Sequence, residues 1–109
     1  MNKTICFDLD NVICKTDKNN NYKNSTPIKK NISLINKLYD LNYEVVIYTA
    51  RFMGRCKGNA KLAEKKIKPL TLKQLDTWNV KYHKIYFGKP SFDLLIDDKS
   101  ILKKLETII

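Results

Sequence analysis

The chain has 109 residues, 43% of them hydrophobic, which is enough for one core and too short for a second sizeable domain, so a single domain over residues 1–109 is expected. Its formal net charge of +10 suits nucleic acid, an anionic membrane surface or a phosphorylated small molecule, and equally a Lys-rich solvated face. Cys6, Cys14 and Cys56 form no C-x-x-C pair and read as free thiols, and the apolar run before Asp8 is too short for a signal peptide or a membrane span, so a reduced cytoplasmic setting is expected.

Thr4 to Phe7 and Glu44 to Thr49 are short apolar runs without strict alternation, as in parallel strands covered on both faces. Between them, Thr26 as N-cap and Pro27 at the first helical position open a predicted helix to about residue 41, with Ile28, Ile32, Ile35 and Leu38 at helical spacing. Thr71 and Gln74 match a capping box, and Leu70 and Leu75 a hydrophobic staple, so a second helix is predicted to start at Thr71 and end near Trp78-Asn79. Strands are predicted at His83 to Phe87 and Phe92 to Ile96, and a last amphipathic helix after Ser100. This order favours a three-layer, Rossmann-like α/β domain with a mostly parallel sheet, in which ligands collect at the C-terminal strand ends beside the switch point.

Asp8 and Asp10 flank Leu9 where the first strand ends, and residues two apart share a side of a strand, so the two carboxylates converge. Taken alone, such a pair more often caps a turn. Asp97 and Asp98, however, end another apolar run, Leu94-Leu95-Ile96. Two strands thus deliver acids to one sheet edge, where a hard cation such as Mg²⁺ is the natural counter-charge, although Asp98 could instead cap the final helix. Thr49 ends the second strand with a hydroxyl and Lys89 follows Gly88, adding a donor and a positive charge that a transferring phosphoryl group needs.

These residues in this order resemble the haloacid dehalogenase superfamily of phosphohydrolases. Asp8-Leu9-Asp10-Asn11-Val12 is similar to its first motif, Thr49 to the second, Lys89 to the third and Asp97-Asp98 to the acidic fourth. The resemblance implies that Asp8 attacks phosphorus to give an aspartyl-phosphate, while Asp10 protonates the leaving oxygen and later activates water. It further implies that Mg²⁺ is held by Asp8, the Asp10 main-chain carbonyl and Asp97 or Asp98, with Thr49 and Lys89 holding the phosphoryl group. Relatives usually carry a helix between the third and fourth strands; here only Gly88 to Ser91 intervene, and the crossing needs about 20 Å, near the limit of six extended residues.

Residues 11 to 26 suffice only for a short flap, so the chain resembles the capless subgroup, whose open sites act on macromolecules or close by oligomerising around small substrates; a homo-oligomer is one expected arrangement. A looser resemblance, carried by Thr49-Ala50-Arg51 and Gly88-Lys89-Pro90-Ser91, is to phosphatase-like proteins of bacterial capsule and surface-polysaccharide pathways. It implies a small phosphorylated substrate, a sugar or polyol phosphate, ahead of a nucleotide or nucleic-acid end. A non-catalytic phosphate-binding module is the reading from another class. No aromatic-interleaved basic motif accompanies the charge, so specific nucleic-acid binding is not expected. The basic stretch 51 to 70 reads either as a cover over the substrate or as a solvated, weakly helical connection; within it Arg51, just after Thr49, is the substrate-binding candidate, whose charge reversal should raise KM more than it lowers kcat.

Overall fold

In chain order the elements are β1 (Thr4–Asp8), β2 (Cys14–Lys15), a 3-10 turn (Tyr22–Asn24), β3 (Thr26–Pro27), α1 (Lys29–Asp40), β4 (Glu44–Tyr48), α2 (Ala60–Thr77), β5 (Lys84–Tyr86) and β6 (Leu94–Ile96). They come from a computed structural model that describes residues 3–17, 19, 21–52, 57–87 and 94–96. Lys89, Asp97, Asp98 and the helix predicted after Ser100 lie outside the described residues.

Among the described residues the unbroken apolar runs of β1 and β4 occupy the centre of a four-stranded sheet of order β5-β4-β1-β6. Every pair in it is parallel: Thr4 to Asp8 align with Glu44 to Tyr48, Val46 to Tyr48 with Lys84 to Tyr86, and Ile5 to Phe7 with Leu94 to Ile96. Side chains on both faces of β1 and β4 are buried, Ile5, Phe7, Val45 and Ile47 on one and Cys6 and Val46 on the other, which is why neither strand alternates in sequence. Ile32, Ile35 and Leu38 of α1 and Leu75 of α2 close over the first face. No helix among the described residues is long and apolar enough to cross a membrane.

From β1 the chain proceeds to β4 and β5 on one side and returns as β6 on the other, so the switch point lies between β1 and β6. The crossing is easier than the sequence suggests because the strands are shorter than predicted, ending at Tyr86 and starting at Leu94. Three strand spacings and three residues of rise make roughly 17 Å, well inside the ~27 Å that eight extended Cα steps can reach.

Both predicted helix starts are corrected. Thr26 and Pro27 pair antiparallel with Lys15 and Cys14, and the Ile28 N–H donates to the Ile13 carbonyl at 2.8 Å, so strand pairing claims the residues read as N-cap and first turn, and α1 begins at Lys29. The second helix starts at Ala60, not Thr71: the Asn59 side chain caps it by accepting from the Leu62 N–H at 3.1 Å. Pro69 lies inside this helix but on its exposed side, where the carbonyl of Lys65 that loses its helical donor can be solvated.

Both helices stop in the same way, on an asparagine. After α1, Asn42 has φ 71°, its N–H donates to Tyr39 and that of Tyr43 to Leu38; after α2, Asn79 has φ 57°, its N–H donates to Asp76 and that of Val80 to Leu75. Each is a Schellman closure, with the left-handed residue as asparagine in place of glycine. Asn36 of α1 then joins the two helices, donating to the Asn79 carbonyl at 2.9 Å and accepting from the Lys81 N–H at 2.8 Å. Asn79→Ala is expected to lower stability by about 1 kcal/mol, because alanine lacks the local tolerance for a left-handed conformation, whereas Asn79→Gly should be neutral or stabilising. Urea unfolding of both variants checks this ordering.

Candidate active site

Asp8 is the last residue of β1, half-buried, at the C-terminal end of the strand bordering the switch point. The chain then turns sharply. The Leu9 N–H donates to the Tyr48 carbonyl at 3.0 Å, Asn11 takes φ 69°, and the Ile13 N–H returns to the Leu9 carbonyl at 2.9 Å. This turn buries Leu9 and sets Asp10 beside the strand ends with 21% of its side chain exposed. Thr49 follows β4, the neighbour of β1, and is fully buried; its Oγ1 accepts the Arg51 N–H at 3.0 Å, which leaves its O–H available as a donor among the described residues.

Arg51 departs from its expected position. It is 1% exposed, and each guanidinium N–H meets an acceptor. Nε donates to Asp10 Oδ1 and Oδ2 at 3.2 and 3.1 Å, and Nη2 donates to Oδ1 at 2.9 Å. Nη1 donates to Thr71 Oγ1 at 3.2 Å and Gln74 Oε1 at 2.7 Å, and the other Nη2 hydrogen faces Ser25 Oγ at 3.4 Å and Cys14 Sγ at 3.6 Å. The Tyr22 ring covers the guanidinium at 4.7 Å. With no donor left over, Arg51 serves the interior, and the substrate-binding role expected of it is revised.

The network also explains why Thr71 and Gln74 are not a capping box. Both are buried within α2: Thr71 donates to the Ile67 carbonyl at 2.9 Å, and Gln74 Nε2 donates to the Tyr22 carbonyl at 2.6 Å. A signal for this existed in the sequence, since Ala63, Ile67, Thr71 and Gln74 recur at helical spacing, and polar residues on a buried stripe require polar partners. Thr16 and Ser25 carried no such signal. Lys57, Lys61, Lys65, Lys66 and Lys68 are exposed, which separates them from Arg51 within the basic stretch.

The cysteines near the site are not poised as nucleophiles. Burial, reinforced by the Asp8 charge, pushes the Cys6 thiol up to about 12. Burial and then Asp10 push Cys14 up to about 11, against a smaller opposing effect of Arg51. Both therefore stay protonated at neutral pH, and the strand-end carboxylates are the nucleophile candidates. Burial and then Asp8 likewise raise the Tyr48 hydroxyl.

The structure thus brings Asp8, Asp10 and Thr49 to the ends of adjacent strands. Among the described residues no three His, Cys, Asp or Glu side chains form a metal-binding group. The chain leaves β6 at Ile96, opposite Phe7, the residue before Asp8.

Because the folded state keeps thiol protons that the unfolded state loses above about pH 9, the stability this contributes is complete below pH 9 and declines as pH rises toward 11 to 12. Urea midpoints from pH 8 to 10.5 should fall, and Cys6→Ala should flatten the slope even where it lowers the absolute stability.

No family model and no curated protein matches the chain. Among solved structures, it is similar to a crystal structure of a structural-genomics target from Vibrio cholerae, with 27% identity over 97% of this chain and 95% of that chain and a TM-score of 0.71. That likeness spans nearly the whole of both chains and agrees with the α/β architecture of a mostly parallel sheet with helices.

Proposed function

We propose that the chain is a magnesium-dependent phosphomonoester hydrolase of the haloacid dehalogenase type, on a capless Rossmann-like domain, with Asp8 as covalent nucleophile. The observation that carries this reading is the pairing of a strand-end carboxylate at the switch point, Asp8, with a second carboxylate two residues on, Asp10, which is held in place yet partly exposed. Neutral Cys6 and Cys14 favour a carboxylate over a thiolate as the attacking group.

In the first half-reaction an Asp8 oxygen bonds to phosphorus, the bond from phosphorus to the leaving oxygen breaks, and protonated Asp10 gives that oxygen its proton. In the second, water attacks phosphorus and gives a proton to the Asp10 carboxylate; the bond from phosphorus to Asp8 breaks, releasing phosphate and restoring Asp8. The Thr49 hydroxyl, and Lys89 by resemblance, would hold the phosphoryl oxygens. The donor set fits Mg²⁺: Asp8 offers a carboxylate, and the Asp10 main-chain carbonyl accepts no hydrogen bond among the described residues, while Arg51 occupies the Asp10 side chain. Asp97 or Asp98 would complete the set, and bound Mg²⁺ would neutralise charge building on the phosphoryl group.

A small phosphorylated sugar or polyol is the proposed substrate. Tyr22, which covers Arg51, also lines a groove of about 510 Å³ with Phe52, Asn21, Lys23 and Lys66, supplying amides, cations and an aromatic wall for a hydroxylated molecule. Lys66→Glu should therefore raise KM more than it lowers kcat.

The test is phosphate release from a panel of phosphomonoesters with Mg²⁺, repeated with EDTA, which should abolish it. Asp8→Asn should lose turnover and covalent labelling. Asp10→Asn, given an aryl phosphate that needs no leaving-group proton, should accumulate one phosphoryl group on Asp8 by intact-protein mass spectrometry. Full turnover after chelation, or wild-type labelling of Asp8→Asn, would overturn the mechanism. Preference for nucleic-acid ends would move the substrate, and phosphate binding without turnover would favour a binding module.

A further inference from the structure

The two oxygens of Asp10 are not equivalent. Oδ1 accepts from Thr16 Oγ1 at 2.6 Å, from Arg51 Nη2 at 2.9 Å and from Arg51 Nε at 3.2 Å, with Cys14 Sγ at 3.5 Å. Among the described residues Oδ2 accepts only from Arg51 Nε, at 3.1 Å and through the hydrogen it shares with Oδ1. A carboxylate oxygen offers about two good acceptor sites, so Oδ1 is filled and Oδ2 keeps one open.

The donors on Oδ1 cannot easily be turned away. The single Thr16 hydroxyl hydrogen is used on Asp10, so in the 2.8 Å contact with Ser25 the serine must donate, and Ser25 Oγ in turn faces Arg51 Nη2 at 3.4 Å. Two donor paths therefore end on Asp10: Arg51 donates to Ser25, Ser25 to Thr16 and Thr16 to Asp10, while Arg51 also donates to Asp10 directly. The guanidinium itself is pinned from the far side by Thr71 and Gln74 and covered by Tyr22. Rotating the carboxylate to exchange its oxygens would break several of these bonds at once.

We infer that Arg51 and Thr16 are positioning residues that anchor Asp10 through Oδ1 and thereby assign Oδ2 as the oxygen that carries the proton in both half-reactions. The inference rests on the proposed phosphatase reading and names a regulated geometry within that same site. In the first half-reaction the Oδ2–H bond breaks as its proton passes to the leaving oxygen; in the second, Oδ2 takes a proton from the attacking water while the bond from phosphorus to Asp8 breaks. Oδ1 stays bound throughout. Neither Arg51 nor Thr16 touches substrate, and both act through Asp10.

Thr16→Val removes one donor to Oδ1 at the rim of the network while keeping the side chain's shape, and Arg51→Lys removes the paired donors. With wild-type enzyme, an aryl phosphate and acid-quenched mass spectrometry give the steady-state fraction of phosphorylated Asp8. In Thr16→Val this fraction should rise and kcat fall about 100-fold with KM falling alongside it, because misplacing Oδ2 slows water activation more than attack by Asp8. An alkyl phosphate, whose leaving oxygen needs the proton, should suffer more than the aryl phosphate. Thr16→Ser, which restores the hydroxyl, should bring the labelled fraction back toward wild type.

Arg51→Lys is expected to show the same partition if it folds; if it unfolds, Thr16→Val decides. Equal loss of both steps without labelled intermediate, or a Thr16→Val partition identical to that of wild type, overturns the inference while leaving the phosphatase reading intact. Absence of turnover and labelling in the wild type would instead sink that reading, and the inference with it.

Discussion

The contact on which the rest of this molecule depends is the ion pair between Arg51 and Asp10. A guanidinium with no exposed side-chain surface is costly to desolvate, and is tolerated only where a carboxylate and a full set of acceptors replace its water. Here the acceptors come from the turn after β1, the β2–β3 ladder, and α2. Truncating Asp10 to alanine would strand the buried Arg51 charge at a cost of about 3–5 kcal/mol, a large share of the stability of a domain this size. The same carboxylate is the proposed proton carrier, so fold and chemistry draw on one interaction.

Backbone conformation around the site follows from that demand. Asn11, directly after Asp10, and Phe52, directly after Arg51, both take positive φ values, of 69° and 65°. Asparagine adopts this conformation readily, whereas a bulky aromatic does so only when its surroundings hold it there. Arg51 is drawn inward and the chain must reverse at once, which puts the Phe52 ring 5.7 Å from that of Tyr22, the residue covering the guanidinium. The short insertion between β1 and α1 is consequently fastened over the strand ends by Thr16, Tyr22 and Ser25.

Topology supplies the complementary constraint. β1 borders the reversal of strand order and is buried on both faces, so its C-terminal residue is rigidly held at the place where such sheets bind ligands. Asp8 occupies that position, and Thr49 directly follows the neighbouring strand. The proposed reaction asks for an attacking oxygen and a hydroxyl donor on rigid supports, with the proton carrier on a turn they brace.

How much of this was legible follows from the range of each interaction. Residues 4 to 7 and 44 to 49 declared themselves as doubly covered strands, each within one residue of the observed end, and the D-x-D pair at a strand end declared a candidate site, because side-chain period and apolar runs are local properties. The close of α2 at Trp78-Asn79 was equally readable, since left-handed caps select asparagine and glycine by local sterics. The helix starts were not. Thr26-Pro27 and Thr71-Gln74 carry genuine capping patterns, but a strand 11 residues away claimed the first and a buried arginine 20 residues away the second. In the same way Arg51 reads from sequence as the substrate-binding candidate of a basic stretch. What sequence by itself determined, then, was which segments are strands and where acids meet strand ends, each set within a few residues by sterics and periodicity. Which polar side chains face inward, and that Asp10 holds one oxygen fixed and one open, was decided only when distant segments converged, because a hydrogen-bond partner is chosen by space and not by sequence distance.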